Sequence, residues 1–208
     1  MPHPTITLHG TPTSGHTHRV ELLLEMLKLP YDYRTVPAEA RRSADFLDLN
    51  PLGQIPVLTD GDLVLPDSNA IMLYLVRRYA PESDWWPKTP EGEARALRWF
   101  SIAAGELKNG PATARLIARF NAPGDLAAAQ AEARRLFAFM DRHLAKRHFL
   151  AANAPTLVDL ACYSYTAHAP EGGVPLTPYP SLCRWLDALE GLPRFKPMPG
   201  LPKRTAGN

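Results

Sequence analysis

The sequence predicts a small α/β domain followed by an all-helical domain. Strand and helix patterns alternate over residues 5–80, whereas helical patterns alone continue from residue 91 to the end. Between them, residues 81–90 change in composition to Pro, Glu, Ser, Asp, Trp and Lys and include three prolines, which indicates a linker. We therefore expect domains at residues 1–80 and 91–208, joined by the linker at 81–90.

The first half of the α/β domain has the order strand, helix, strand. Residues 5–9 read as a short strand and residues 31–36 as a second one. Between them, one helix face ending near residue 29 is marked by apolar residues spaced i, i+3, i+4 and i+7, namely Val20, Leu23, Leu24 and Leu27.

The second half of this domain has the order strand, strand, helix. Residues 57–59 and 63–65 form a predicted hairpin, because Asp60-Gly61 is a strong turn signal between two apolar runs. Ser68 is the expected N-cap of a helix that runs to about residue 79.

The second domain contains four clear helical segments, at about residues 91–120, 126–147, 157–169 and 181–189. Thr156 and Asp159 form a variant capping box at the start of the third segment. We assign these two residues to folding and not to chemistry.

Composition excludes several classes of function. A net charge of +2 favours neither nucleic acid nor a membrane surface as a partner, and no apolar run reaches the length of a membrane span. Cys162 and Cys183 do not make a disulfide framework, and His16 and His18 are spaced for different helix faces, so we expect no metal. The first residues lack a signal-peptide pattern, which makes a cytoplasmic location the default expectation.

Residues 50–71 carry the most informative pattern of the chain. Pro56 begins an apolar strand but cannot donate to a strand ladder, so we expect it at a strand entrance or in a cis peptide after Ile55. The polar side chains of Gln54 and Ser68 flank this strand pair, and a helix starts nearby. Together these features predict a site that grips the backbone of an anionic, peptide-like ligand.

Two motifs in this stretch, Asn-Pro-Leu-Gly-Gln-Ile-Pro-Val-Leu at 50–58 and Asp-Ser-Asn-Ala-Ile at 67–71, resemble the cytosolic glutathione transferases. The resemblance extends from residues 5–8 to residues 193–195. It implies a thioredoxin-like α/β N-terminal domain that binds glutathione and an all-α C-terminal domain that carries the electrophile site. It also implies a detoxification enzyme that uses glutathione as co-substrate and needs no metal.

The resemblance further implies a catalytic hydroxyl after the first strand. Aligning Arg19-Val20 with the serine-type classes of the family, theta-like and phi-like, assigns that role to Ser14. Bacterial cysteine-type classes carry a thiol here, and this chain does not. The loop register leaves Thr11 and Thr13 as competing hydroxyls.

The same resemblance assigns the glutathione contacts. The Ile55 backbone, before Pro56, is expected to pair with the cysteinyl part, and Gln54, Asp67 and Ser68 to hold the γ-glutamyl end. Asp67 stands where a glutamate is commoner in the family. Either Arg41 or Arg42 is expected to meet the glycyl carboxylate, and the two stay open.

The second substrate is expected to be a small apolar electrophile. Its pocket is predicted to involve the helix at 91–120 and a tyrosine farther on, with these candidates: Trp99, Phe100, Ala103, Glu106, Leu107, and Tyr163 or Tyr165. A homodimer is also expected, with residues 69–79 of one subunit against 91–120 of the other.

Two other functions compete with conjugation. A glutathione-dependent reductase or isomerase shares this scaffold, although a disulfide-exchanging reductase ordinarily has cysteine where Ser14 stands. A non-catalytic glutathione-binding module is the third possibility, and the complete set of glutathione-contact residues argues against it.

Overall fold

The computed structural model describes residues 6–202. The chain divides into two compact units, one reaching to Ser83 and including Pro193–Pro199, the other comprising Asp84–Leu192 with the residues from Gly200. Thr5, expected in the first strand, lies outside the described residues. The division into separately folding domains stays a prediction.

The first unit is built on a four-stranded sheet. Its strands are β1 (Ile6–Gly10), β2 (Asp32–Thr35), β3 (Val57–Asp60) and β4 (Leu63–Pro66). They lie in the order β2-β1-β3-β4; β1 pairs with β2 in parallel, and the other neighbours are antiparallel. The predicted strands and hairpin are therefore confirmed.

Three helices accompany the sheet, namely α1 (Gly15–Leu27), α2 (Ala44–Leu49) and α3 (Ser68–Tyr79). The predicted face of α1 is buried at Val20, Leu23 and Leu24. Since α1 ends in a left-handed residue, Lys28, whose N–H bonds back to the last turn, the helix stops before Pro30 as expected.

Two details of this unit differ from the prediction. No helix was predicted at α2, because six residues are too few to show a recognisable apolar pattern, although Ser43 caps it and Phe46 packs against Val36 and Val57. The N-cap of α3 is Asp67, not Ser68, and its side chain accepts from the N–H groups of Asn69 and Ala70.

All the regular secondary structure described in the second unit is helical. Its elements are α4 (Pro90–Ala104), α5 (Thr113–Phe120), α6 (Leu126–Leu144), α7 (Leu157–Ala167) and α8 (Pro180–Glu190). The prediction of one continuous helix over residues 91–120 was wrong. A π-helical segment, Lys108–Ala112, separates α4 from α5, because Pro111 has no N–H for the α-helical ladder.

The predicted capping box at the start of α7 is confirmed. The N–H and hydroxyl of Thr156 donate to Asp159 Oδ2 over 2.8 and 3.0 Å. The other carboxylate oxygen accepts from Leu150 N–H and Trp185 Nε1, both at 2.9 Å. Asp159 is fully buried, so this carboxylate ties three segments of the unit together.

Within residues 6–202, no helix combines the length and the apolar character that a membrane crossing requires.

Candidate functional site

The register of the sheet gathers the predicted site segments at one end. Val57, the first residue of β3, pairs with His9 near the end of β1 and with Pro66 at the end of β4. The loop after β1, the residues before β3 and the residues after β4 are therefore neighbours. These are the segments that contain Ser14, Ile55-Pro56 and Asp67-Ser68.

The segment after β2 starts at the same end of the sheet. Val36 N–H donates to the carbonyl of Gly10 over 2.8 Å. Farther along, a Cβ added at Gly53 would lie 3.0 Å from the Arg41 carbonyl oxygen, and Gly53 has a φ of +62°. The backbone at Arg41 therefore lies against the turn that leads into Gln54.

Ser14 is the N-cap of α1. Its Oγ accepts from Thr17 N–H over 3.3 Å, and its extended backbone has φ −85° and ψ 118°. A serine hydroxyl has one donor hydrogen besides its acceptor lone pairs, so this bond does not consume the hydrogen. Thr11 and Thr13 are half-buried like Ser14, and the choice among the three stays a prediction.

The Ile55-Pro56 peptide bond is cis, one of the two arrangements expected from the sequence. The loop that precedes it is organised by Asn50, which is 4% exposed. Asn50 Nδ2 donates to the Gln54 carbonyl over 2.8 Å, and Oδ1 accepts from Leu52 N–H over 3.1 Å. Gln54 itself is exposed. From the sequence alone, Asn50 was not expected to take part in the site.

Asp67 adopts a φ of +74°, which is uncommon for a residue other than glycine. Such strained conformations persist where the surroundings enforce them and cluster at functional sites. Oδ1 of Asp67 accepts from Asn69 N–H at 2.9 Å and from Ala70 N–H at 3.0 Å, and the side chain is exposed. Asp67 therefore uses one of its two carboxylate oxygens to cap α3.

Ser68 is 5% exposed and contacts the buried Arg19, which was not expected in the site from the sequence. Arg19, on α1 and 1% exposed, directs Nη1 to Ser68 Oγ at 3.4 Å and to Asn69 Oδ1 at 3.1 Å. In the sequence, Arg19 served only to align this loop with the serine-type classes. An arginine on the apolar face of a predicted amphipathic helix was the available signal.

Known proteins share this architecture. Models of the N-terminal and C-terminal domains of glutathione S-transferase match residues 8–83 and 94–193. Glutathione S-transferase GstB of Escherichia coli K12 is 32% identical over 207 residues, 95% of this chain and 99% of that protein. The chain belongs to the glutathione S-transferase family. The expected fold and the expected enzyme class, a glutathione transferase, are thereby confirmed.

Solved structures agree with this assignment. A glutathione S-transferase from Pseudomonas fluorescens Pf-5 superimposes with a TM-score of 0.88 at 27% identity, covering 93% of this chain and 98% of that one. A glutathione transferase homologue from Drosophila mojavensis, solved with bound glutathione, has a TM-score of 0.82 at 27% identity, covering 91% and 89%. The serine-type subclass of this transferase stays a prediction.

The two candidate arginines of this transferase differ in environment. Both lie in a short 3-10 helix, Glu39–Arg42, with Arg41 half-buried and Arg42 exposed. Because this helix follows β2 and contacts the Gly53 turn through the Arg41 backbone, both belong to the same end of the sheet as Gln54.

The residues predicted to line an electrophile pocket are mostly core. The buried ones are Trp99, Phe100, Ala103, Leu107, Tyr163 and Tyr165. Trp99 packs against Phe139 and His143 of α6, with ring centroids 5.7 and 5.0 Å away. Glu106 borders two surface cavities of about 570 and 550 Å³. Their use as a substrate pocket stays a prediction.

His18 lies on α1, near the predicted site. His18 is buried in α1, and its Nε2 lies 2.7 Å from the Lys196 carbonyl oxygen. Across residues 6–202, no group of three or more His, Cys, Asp or Glu side chains is arranged to hold a metal ion.

Proposed function

We propose that this transferase is serine-type and that the Ser14 hydroxyl stabilises the thiolate of glutathione, which then attacks a small apolar electrophile. The observation that supports this most is the capping geometry of Ser14, whose Oγ accepts from Thr17 N–H at the start of α1. The Ser14 hydroxyl hydrogen is then available to donate to an anion, and the Thr17 N–H polarises the hydroxyl.

The magnitudes are sufficient for thiol activation without a general base. Lowering a thiol pKa from about 8.5 to about 6.5 requires about 2.7 kcal/mol of preferential thiolate stabilisation. A hydrogen bond to an anion contributes about 1.5–3 kcal/mol, and the positive end of a helix adds about 0.3–1 kcal/mol. The thiolate is itself the nucleophile, so the remaining acceleration comes from proximity.

In conjugation, the sulfur lone pair forms a carbon–sulfur bond to the electrophile. When the electrophile carries a halide, the carbon–halogen bond breaks and the halide leaves with the bonding electrons. The thiol proton is released to solvent before the attack. We propose that residues of the helical unit bind the electrophile, since Glu106 of that unit borders two surface cavities.

The glutathione backbone is held by the neighbouring segments. The Ile55 main chain pairs with the cysteinyl part beside the cis Pro56, and Gln54 contacts the γ-glutamyl end. The carboxylate of Asp67 meets the ammonium, and Ser68 donates to the γ-glutamyl carboxylate. Since Oδ1 of Asp67 caps α3, Oδ2 is the oxygen that we assign to the ligand.

The glycyl carboxylate pairs with a cation from the Glu39–Arg42 helix. The Arg41 backbone lies against the turn before Gln54, which supports a contact from Arg41 or Arg42. Replacing each arginine separately by glutamine identifies the partner, because only that variant raises KM for glutathione. For a salt-screened contact at or near the surface, we expect KM to change by about twofold to fivefold.

We also propose that the transferase is a homodimer, in which residues 69–79 of one subunit contact 91–120 of the other, with Arg77, Arg78 and Glu106 as candidates for the contact. Arg77 and Arg78 are exposed, Glu106 is half-buried, and the apolar side chain of Leu97 is also exposed, which supports an interface here. Sedimentation at micromolar concentration should give twice the 23.0 kDa mass of one chain. A particle of one chain mass would overturn this part of the proposal.

The proposal is tested by replacing Ser14. In Ser14→Ala, we expect the conjugation of 1-chloro-2,4-dinitrobenzene to fall by about tenfold to 100-fold, while the dissociation constant of glutathione changes little. The pKa of bound glutathione, read from thiolate absorbance, should rise by about one to two units. Ser14→Thr keeps a hydroxyl and should restore part of the rate.

Two matched variants serve as controls. Thr11→Val and Thr13→Val remove the competing hydroxyls and should keep the low thiol pKa. Because loss of a cap costs about 0.5–2 kcal/mol, unfolding of each variant is measured in parallel. A low thiol pKa that persists in Ser14→Ala but is lost in Thr11→Val or Thr13→Val would overturn the assignment of Ser14.

A further inference from the structure

We infer that Arg19 is a positioning residue that orients the Ser68 hydroxyl and supplies the positive charge for the γ-glutamyl carboxylate. This inference rests on the proposed glutathione site. Arg19 does not line the ligand in this scheme, because it acts through Ser68 and Asn69 from its buried place on α1.

The contact with Arg19 sets the direction of the Ser68 hydroxyl hydrogen. Arginine has only donor hydrogens, so Ser68 Oγ must be the acceptor in its contact with Arg19 Nη1. The distance of 3.4 Å is long for a hydrogen bond. A full positive charge this close still attracts the oxygen, which is the negative end of the hydroxyl dipole. The Ser68 hydrogen is thereby directed away from Arg19 and can donate to a carboxylate.

The start of α3 has few backbone donors left for an anion. The N–H groups of Asn69 and Ala70 bond to the Asp67 side chain, and Ile71 N–H bonds to the Asp67 carbonyl. A carboxylate at this place therefore depends on the groups at Ser68. Asp67 is itself anionic, so a nearby positive charge is needed to make the position favourable for a second carboxylate.

Arg19 supplies this charge from a buried position. Both Arg19 and Ser68 are more than nine-tenths buried, and water screens a charge less in such a place than at the surface. Arg19 also contacts Asn69 Oδ1 at 3.1 Å, which fixes the guanidinium at the first turn of α3. A cation held beneath a helix start adds its positive potential to that of the N-terminal end of the helix dipole.

A purely structural role would have a different signature. If Arg19 only joined α1 to α3, its replacement would lower stability and would weaken every ligand of the site equally. If Arg19 serves the carboxylate, its replacement weakens glutathione selectively over an analogue that lacks this group. The suitable probe is γ-aminobutyryl-cysteinyl-glycine, in which hydrogen replaces the α-carboxylate of the γ-glutamyl residue.

The experiment measures the affinity of both peptides by titration calorimetry for the unaltered protein, Arg19→Gln and Arg19→Lys. We expect Arg19→Gln to weaken glutathione by about tenfold or more and the analogue by less than about threefold. KM for glutathione should rise more than kcat falls. Arg19→Lys retains the charge and should recover part of the affinity for glutathione.

A second variant keeps Arg19 in place. Asn69→Asp preserves the oxygen that Arg19 contacts but adds a negative charge beside the guanidinium, so it should weaken glutathione selectively without removing a buried side chain. If this variant and any folded Arg19 variant weaken both peptides equally, or leave glutathione unchanged, the inference is overturned. If the unaltered protein binds neither peptide, the proposed function itself fails.

Discussion

Gly10 and Thr17 approach each other so closely that a Cβ added at Gly10 would lie 2.2 Å from Thr17 Cγ2 and 2.4 Å from its Oγ1. Gly10 ends β1, and Thr17 lies in the first turn of α1. The missing side chain at Gly10 therefore lets the helix start lie directly on the strand end. This contact fixes the position of the loop that carries Ser14.

Replacing Gly10 by alanine should displace the start of α1. We expect Gly10→Ala to lower the free energy of unfolding by about 1–3 kcal/mol, as overpacking does, and to reduce kcat/KM. Thr17→Ala removes the two closest atoms, so the double variant should lose less stability than the sum of the single variants. Denaturant unfolding of all four proteins gives the coupling, and an additive result would contradict the predicted clash.

Asn50 should be required for the shape of the loop that we propose to bind glutathione, residues 50–56. Asn50→Asp keeps the oxygen that accepts from Leu52 N–H but replaces the donor to the Gln54 carbonyl with a second oxygen. Because this oxygen would face another acceptor, we expect a loss of about 1–3 kcal/mol of stability and a higher KM for glutathione. Steady-state kinetics with varied glutathione measures the effect.

Asn153→Asp provides the matched control, since Asn153 is exposed in the second unit. It makes the same chemical change without touching the loop, so its KM should stay unchanged. Equal KM values for both variants would show that Asn50 does not organise the binding loop.

Asp159 should be among the most sensitive residues of the helical unit. Its buried carboxylate accepts from four donors, and burial raises its pKa while these hydrogen bonds oppose the rise. In Asp159→Asn, an amide N–H₂ must face two of those donors. We expect the free energy of unfolding to fall by about 2–5 kcal/mol, measured by denaturant unfolding.

Thr156→Val is the graded comparison, because it removes the hydroxyl that donates to Oδ2 while nearly keeping the side-chain volume. It should cost less than Asp159→Asn, and an equal or larger loss would contradict the role assigned to the carboxylate.

His168 should make the stability depend on pH. It is fully buried, with Nδ1 at 2.7 Å from Glu171 Oε1, and burial lowers its pKa below the ordinary value of 6.5. Arg115 and Arg119 bind the other Glu171 oxygen at 2.7 and 3.1 Å and also disfavour a charged imidazole.

Since the unfolded chain takes up the His168 proton first, the stabilising effect is complete above about pH 6.5 and declines as the pH falls below it. His168→Asn should therefore reduce the loss of unfolding free energy between about pH 7.5 and pH 5.5. Replacing the exposed His148 by asparagine serves as the control and should leave the slope unchanged. An unaltered slope in His168→Asn would refute the prediction.

Features that depend on a few consecutive residues could be predicted from the amino-acid sequence. The apolar spacing of Val20, Leu23 and Leu24 predicted α1, the Asp60-Gly61 turn predicted the hairpin, and Pro56 predicted a strand entrance or a cis peptide. The motifs at 50–58 and 67–71 were specific enough to indicate the family. Each of these signals is local, because helical and strand periods and turn chemistry span only a few residues.

The grouping of polar side chains from distant segments, by contrast, depends on the packing of the whole unit. The pairing of Val57 with both His9 and Pro66 brings three distant loops to one end of the sheet, and Arg19 contacts Ser68 across 49 positions of sequence. The cap at Asp67, rather than Ser68, follows from a positive φ that no spacing reveals. Burial, register and backbone conformation arise when the whole unit packs, so they are not properties of any short stretch of the chain.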